Sequence, residues 1–402
     1  MNKVYVVAAK RTAIGSFLGS LSKVSPSNLA ANVIKDIISQ VNIDPKDIDE
    51  VIIGNVLSAG HSQGIGRQAS INGGIPNSVP AYSLNMICGS GMKSVMNAYN
   101  NIKSGEANLI LAGGTESMSQ APFLVSANGR NGMKMGETSL KDHMILDALT
   151  DAFSGVHMGI TAENIAEKHN ISRKEQDAFA YNSQIKAIKA IDTNRFFDEI
   201  VPIEIFNKKG NIIVNCDEYP NRKTTPEKLA SLKPAFKKGG SVTAGNSSGI
   251  NDGASVLLLA SEKAIREHNL EPIAELIAIG QGGVDPLFMG LGPVPAIGNA
   301  LEKANIPLKD IDLLELNEAF AAQALGVMKE LSSIHNVDTE WFSDKTNVNG
   351  GAIALGHPVG ASGNRIIVSL LHEMKKRDSN YGLASLCIGG GMGTAIVFKN
   401  IK

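Results

Sequence analysis

Short apolar runs bounded by glycine or charge alternate along this chain with longer stretches in which apolar residues recur every three or four positions. VYVVAA at 4–9 reads as a buried strand, and so do LILAGGTE at 109–116, ASLCIGGG at 384–391 and the closing TAIVFKNIK at 394–402. Helical patterns of 10 to 20 residues separate the strands, which is the signature of a mostly parallel α/β layer.

The pattern repeats. NIDPKDID at 42–49 and NIPLKDID at 305–312 agree at six of eight positions, and each precedes a strand-like run, EVIIGNV and LLELNEA. Downstream, CGSG at 88–91 echoes GASG at 360–363, and each is followed by a helical period and a strand ending in glycines. The same order at nearly the same offset predicts a duplicated domain. Between about 118 and 248 the pattern changes to a loop-like SANGRNGMKMGE and one clear helix over 172–190, with no counterpart in the second half. The expected division is therefore 1–117 with 249–270 as the first domain, 118–248 as an insertion, and 271–402 as the second domain.

Length and composition narrow the function. The 402 residues exceed what one core usually organises, and 43% apolar with 19% charged residues is a globular balance. A net charge of −1 without a long basic run argues against nucleic acid as a partner. No run is long and apolar enough to span a membrane, and the first strand begins too early to leave room for a leader. Three cysteines, Cys88, Cys216 and Cys387, are too few and scattered for a disulfide framework or zinc site, so a reducing, cytoplasmic setting is expected. No metal-ligand spacing occurs, and no metal is expected.

Four stretches carry candidate chemistry. NMICGSGMKS at 85–94 fails as a phosphate loop, because Ile87 and Met92 stand where glycines are required, and fails as a serine elbow, because Gly89 directly precedes Ser90. What remains is Cys88 on a strand-to-helix corner, where backbone N–H groups and the helix dipole favour a thiolate and lower its pKa. A lone cysteine is more often a small core residue, but the glycines around this one clear the backbone for a ligand. VNGGAIALGHPVGASG at 348–363 holds His357 as its only titratable side chain, a turn residue or a base. CIGGGMG at 387–393 is followed by a strand rather than a helix, so it is not a dinucleotide fingerprint. NEAFA at 317–321 puts Asn317 and Glu318 at the end of a buried strand, where α/β sites usually lie.

These four stretches, in this order and at these separations, resemble the thiolases. VVAAKRTAIGSFLGSL at 6–21, HMGITAEN at 157–164 and SVTAGNSSGINDGA at 241–254 resemble them as well, so the likeness runs the length of the chain. MKMGE, DHMILDALTDAF and the His157-Met158 pair point to the branch that makes acetoacetyl-CoA. The resemblance implies duplicated α/β/α/β/α layered domains with an inserted loop domain. It also implies an acetyl-CoA C-acetyltransferase, joining two acetyl-CoA into acetoacetyl-CoA and CoA through an acetyl-cysteine; the alternative is a degradative thiolase of longer 3-ketoacyl-CoA chains. On this reading Cys88 is the nucleophile, His357 its base, and Cys387 the second acid–base. Asn317 holds a water in one oxyanion hole, and the N–H groups of Cys88 and Gly389 form the other. Coenzyme A, as substrate and product rather than cofactor, is expected against Leu149, His157, Met158, Phe236, Ala244, Ser248, Ala319 and Phe320, with Met289 beside the acyl group. Where relatives carry an arginine for the nucleotide this chain has Asn221, and the neighbouring Arg222 is expected to take the contact. A homotetramer, a dimer of dimers joined through the 118–144 loop, is implied by the family alone.

Overall fold

The computed structural model describes residues 2–133, 135–206 and 210–401, which leaves Lys134 of the MKMGE stretch and Lys402 of the closing run outside. Its centre is one eleven-stranded sheet. Nine strands form its path: β1 (Val4–Thr12), β2 (Glu50–Gly54), β3 (Ala81–Leu84), β4 (Leu109–Ser117), β5 (Asn251–Ser261), β6 (Ala274–Gly283), β7 (Leu313–Leu316), β8 (Tyr381–Ile388) and β9 (Met392–Asn400). Their spatial order is β7-β8-β9-β6-β1-β5-β4-β2-β3. The short strands Gly15–Ser16 and Ile200–Val201 pair with β5 and β1.

The duplication is visible in strand polarity. In the first half β2 runs parallel to β4, β4 antiparallel to β5, and β5 antiparallel to β1. In the second half β7 runs parallel to β8, β8 antiparallel to β9, and β9 antiparallel to β6. The halves meet where β1 pairs with β6 at only Tyr5–Glu275 and Val6–Ala274. The sheet is thus mixed rather than mostly parallel. For one antiparallel pair a short link explains the difference: the turn 389–391 joining β8 to β9, with Gly390 at φ 82° and Gly391 at φ 84°, is too tight for the crossover that parallel neighbours need.

Seven helices matter for the site: α1 (Pro26–Val41), α2 (Ser90–Ser104), α3 (Met158–Lys168), α4 (Arg173–Asp192), α5 (Pro293–Ala304), α6 (Ala321–His335) and α7 (Val359–Arg377). The helices α2 and α7, which follow the two matching CGSG and GASG stretches, share one core cluster. Met92, Val95 and Met96 of α2 and Ile366, Ile367 and Leu370 of α7 meet strand residues of both halves there. On the outer faces α1 buries Leu29, Val33, Ile34 and Ile37, and α5 buries Ile297 and Leu301. The layers therefore run helix, first half of the sheet, paired central helices, second half of the sheet, helix.

The segment between β4 and β5 is tied down by charge. Arg11, fully buried in β1, donates Nε–H to Glu199 at 2.6 Å and both terminal nitrogens to Asp217 at 2.7 and 2.9 Å. Burial opposes its charge, but the two carboxylates outweigh burial and raise its pKa. In the same segment α4 begins at Ser172, whose side chain and that of Glu175 form a reciprocal capping box. The helix expected over 172–190 is present.

Arg11→Met should cost about 3–5 kcal/mol, because Glu199 and Asp217 would be left buried without a counter-charge. Urea unfolding measures it, and a loss below about 1 kcal/mol would mean that the ion pairs do not hold the inserted segment.

Candidate active site

Cys88 lies on the corner between β3 and α2. Ile87, immediately before it, has φ 50°, an unfavourable value for a β-branched residue. The corner is held in that shape locally. Ser90 Oγ accepts from Met86 N at 2.9 Å and donates to Ile87 O at 2.6 Å, while Ile87 N donates to Asn85 Oδ1 at 2.9 Å. The strain is concentrated where the thiol must be aimed.

The second corner comes against the first through glycine. A Cβ on Gly91 would sit 2.9 Å from Gly360 O, one on Gly114 2.0 Å from the same oxygen, and one on Gly363 2.7 Å from Met92 N. No side chain fits between the first turns of α2 and α7.

His357 precedes α7 and is buried. Its backbone N–H donates to Asn251 Oδ1 at 2.9 Å, and its Nδ1 lies 2.6 Å from Ser362 Oγ. The Ser362 hydroxyl donates its one proton to Pro358 O at 3.0 Å, so it accepts from Nδ1–H. The proton is thereby placed on Nδ1, and Nε2 is left as a bare acceptor with no protein partner. Burial, followed by the nearby Arg365, lowers the His357 pKa to about 4, so the ring is a neutral imidazole at neutral pH.

The thiols are neutral too. Burial pushes the Cys88 pKa up to about 11, against the opposing N–H groups of Gly389 and Cys88 itself and with the Glu116 carboxylate adding to the rise. The helix-corner argument for a lowered pKa is overturned: removing a thiolate from water outweighs the backbone donors that face it. Cys387, buried at the end of β8, is raised by burial first and then by Cys88, the other sulfur being close enough to repel. Gly389 follows in the turn, its N–H directed at the Cys88 sulfur. Asn317, just beyond β7, is buried with neither side-chain atom hydrogen-bonded to protein. Nε2 of His357 and the amide of Asn317 are thus both buried without a protein partner, as expected where water or a ligand supplies the partners.

Most residues expected at coenzyme A gather beside this centre. Phe236 stacks on His157 with centroids 4.7 Å apart and meets Phe320 edge-on at 6.1 Å. Met158 N donates to Leu149 O, and Ser248 N to Ala319 O, both at 2.9 Å. Met158 and Met289 share one apolar cluster with Ala319 and Phe320. Ala244 lines a separate cavity of about 790 Å³ with Asn221, Lys223 and Lys228. Arg222, between the Asn221 and Lys223 of that cavity, pairs its guanidinium with Asp192 of α4 at 3.0 and 2.5 Å on the exposed surface. Sequence spacing gives no means to anticipate that pairing. Sequence reasoning also missed Ser362, although the repeat that aligns it with Ser90 was a signal: both serines steady a functional corner. Among the described residues no group of three or more His, Cys, Asp or Glu side chains is placed to hold a metal.

The thiolase N-terminal domain matches residues 4–263 and the thiolase C-terminal domain residues 270–400. An acetyl-CoA acetyltransferase of Syntrophomonas wolfei is 51% identical over 399 residues, covering 99% of each chain. Among solved structures, the Bacillus anthracis acetyl-CoA acetyltransferase superposes with a TM-score of 0.95 at 42% identity, covering 100% of this chain and 99% of that one. Human mitochondrial 3-ketoacyl-CoA thiolase in complex with CoA does so with 0.93 at 44% identity, covering 100% and 98%.

Because the folded pKa of His357, about 4, lies below the ordinary 6.5, the unfolded chain binds a proton that the folded site refuses as pH falls between those values. His357 therefore lowers stability across that window, and its neutral form persists down to about pH 4. The carbon-13 shifts of the His357 ring should stay those of a neutral imidazole from pH 7 to 5.5 in wild type. At pH 7, Ser362→Ala should slow acetylation of Cys88 by acetyl-CoA, followed by quenched-flow mass spectrometry, by about 10- to 100-fold, a share of what an oriented base supplies. A wild-type ring that titrates near pH 6.5, or an unaffected alanine variant, would contradict the assigned tautomer and pKa.

Proposed function

The chain belongs to the thiolase family, its two halves matching the two family domains, and on that premise we propose that Cys88, His357, Cys387 and Asn317 carry out acetyl-CoA C-acetyl transfer. The observation that supports the reading is that two glycine-cleared corners pack together, one carrying Cys88 with Cys387 near its sulfur and the other carrying His357, whose Nε2 has no protein partner.

Proton bookkeeping follows from the neutral resting groups. His357 Nε2 takes the Cys88 proton as sulfur attacks the acetyl-CoA carbonyl. The N–H groups of Cys88 and Gly389 receive the oxyanion. Collapse expels CoA thiolate, which takes the proton of Cys387 and leaves as CoA, so acetyl-Cys88, imidazolium and a Cys387 thiolate remain. Cys387 then removes a methyl proton from a second acetyl-CoA. The enolate oxygen is balanced by imidazolium and a water on Asn317, and its carbon attacks acetyl-Cys88. Acetoacetyl-CoA departs, and the released Cys88 thiolate recovers its proton from His357. Every step is neutral overall, which suits a site that burial makes hostile to net charge.

Coenzyme A and its acetyl and acetoacetyl thioesters are the partners, without a further cofactor. The pantetheine arm lies along Leu149, His157, Met158, Phe236, Ser248, Ala319 and Phe320, with Ala244 toward the nucleotide and Arg222 for its phosphates in exchange for the exposed Asp192 pairing. A second reading, thiolysis of longer 3-ketoacyl-CoA chains, draws on the likeness to the human mitochondrial enzyme. Relative thiolysis of four-carbon and longer substrates separates the two. No helix among the described residues is long and apolar enough to cross a membrane, and with all three cysteines free we place the protein in the cytoplasm. We assign a homotetramer in which the hairpin Phe123–Val125 with Leu140–Asp142 meets a second copy, since Phe123, Met135 and Leu140 are at least 60% exposed.

Cys387→Ala should still form acetyl-Cys88, the CoA thiolate then taking its proton from the His357 imidazolium, but lose exchange of the acetyl-CoA methyl protons with deuterium, along with acetoacetyl-CoA synthesis. Exchange at the wild-type rate in that variant would end the second-base assignment. Deleting residues 126–138 should halve the mass seen by light scattering while Cys88 acetylation persists; an unchanged mass refutes the loop's role in assembly.

A further inference from the structure

Glu116, next to last in β4, is fully buried and has four donors on its carboxylate. Oε1 accepts from Asn55 Nδ2 at 2.9 Å and Leu57 N at 3.1 Å; Oε2 accepts from Val56 N at 3.0 Å and Gly360 N at 2.9 Å. The first three donors lie just beyond β2 in the first half of the chain. The fourth lies in the first turn of α7, three residues beyond His357. We propose that Glu116 is a positioning residue that clamps the His357 turn of the second half onto the Cys88 corner of the first. The inference rests on the assignment of His357 as the base of Cys88.

The alternatives to this clamp are limited. The turn carrying His357 takes side-chain ties from the first half at three points: Asn251 Oδ1 on His357 N, Ser255 Oγ on Ala361 O, and Glu116 on Gly360 N. Only Glu116 also holds the loop after β2, whose Val56 and Leu57 pack in the same cluster as Val359 and Cys88. The fit is close: a Cβ on Gly360 would lie 2.6 Å from Glu116 Oε2 and 3.0 Å from Asn55 Cα. A carboxylate is the group this geometry requires. It accepts on both oxygens, and it faces the positive end of α7. Glutamine of the same shape would turn an NH₂ toward backbone N–H donors and lose half of the clamp. Burial, opposed by these donors, brings the Glu116 pKa up to about 7, and its charge adds to the rise in the Cys88 pKa. The residue therefore acts on the site in two separable ways, by geometry on His357 and by charge on the thiol.

The two effects give Glu116→Gln a signature that a purely structural role lacks. Single-turnover acetylation of Cys88 should fall about 10²-fold, the cost of displacing a base by about 1 Å, with KM for acetyl-CoA within about twofold of wild type. The pH midpoint for alkylation of Cys88 by iodoacetamide, read on its peptide by mass spectrometry, should move down, because a negative charge has gone. A folded glutamine variant that acetylates within about threefold of wild type, or that changes KM alone, would overturn the proposal. Should that variant not fold, Glu116→Asp decides: it keeps the charge but is one methylene too short to reach both strand loop and helix, and a wild-type acetylation rate would overturn the clamp. Hydrogen exchange of the wild-type protein gives a reading independent of catalysis. The Gly360 amide should fall in the slowest-exchanging class, and exchange at the rate of exposed loops would overturn the contact itself. Wild-type protein that takes no acetyl group on Cys88 would instead sink the nucleophile assignment while leaving the exchange result to judge the clamp.

Discussion

The structure depends on one close approach, backbone against backbone, between the first turns of α2 and α7. Gly91, Gly114 and Gly363 line it, and a methyl group on any of them would collide with main-chain atoms of the opposite corner. Main chain cannot yield as a flexible side chain can. The two central helices would have to separate, and with them the core of Met92, Val95, Ile366 and Ile367 that joins the halves. The same contact brings Cys88 and His357, 269 positions apart in the numbering, to one site. Packing of the core and assembly of the chemistry are therefore the same event.

Burial at that junction decides the electrostatics. A strand-to-helix corner with two N–H groups aimed at sulfur would stabilise a thiolate in a wetter setting. Here the loss of solvent is larger, and both cysteines rise while the histidine falls. All three groups rest neutral as a result. In the proposed mechanism nucleophilicity is then not stored as a standing thiolate. It appears there when the proton moves to His357 and charge is spread over the developing oxyanion and imidazolium. A resting thiolate on Cys88 would be opposed by Glu116, and one on Cys387 by Cys88.

Several parts of this arrangement are legible in the sequence because they follow from local sterics and repetition. Glycines around Cys88 and preceding α7, the paired NIDPKDID and NIPLKDID stretches and the helical period over 172–190 each state a short-range constraint, and each has its counterpart in the fold. The strings around Cys88, Asn317, His357 and Cys387 were enough to mark the chemistry. Tertiary structure alone decided the rest. The antiparallel pairing of β8 with β9 came from how tightly their turn closes. The tautomer of His357 came from a serine proton committed to Pro358, and the neutral thiols came from how much water the packed halves exclude. Arg222 went to Asp192 because α4 passes beside it, and Glu116 became a clamp because Gly360 folds onto it from 244 residues away. Sequence determines what a short segment can adopt; which charge, donor or carbonyl meets it depends on long-range packing, and burial sets the strength and even the sign of that meeting.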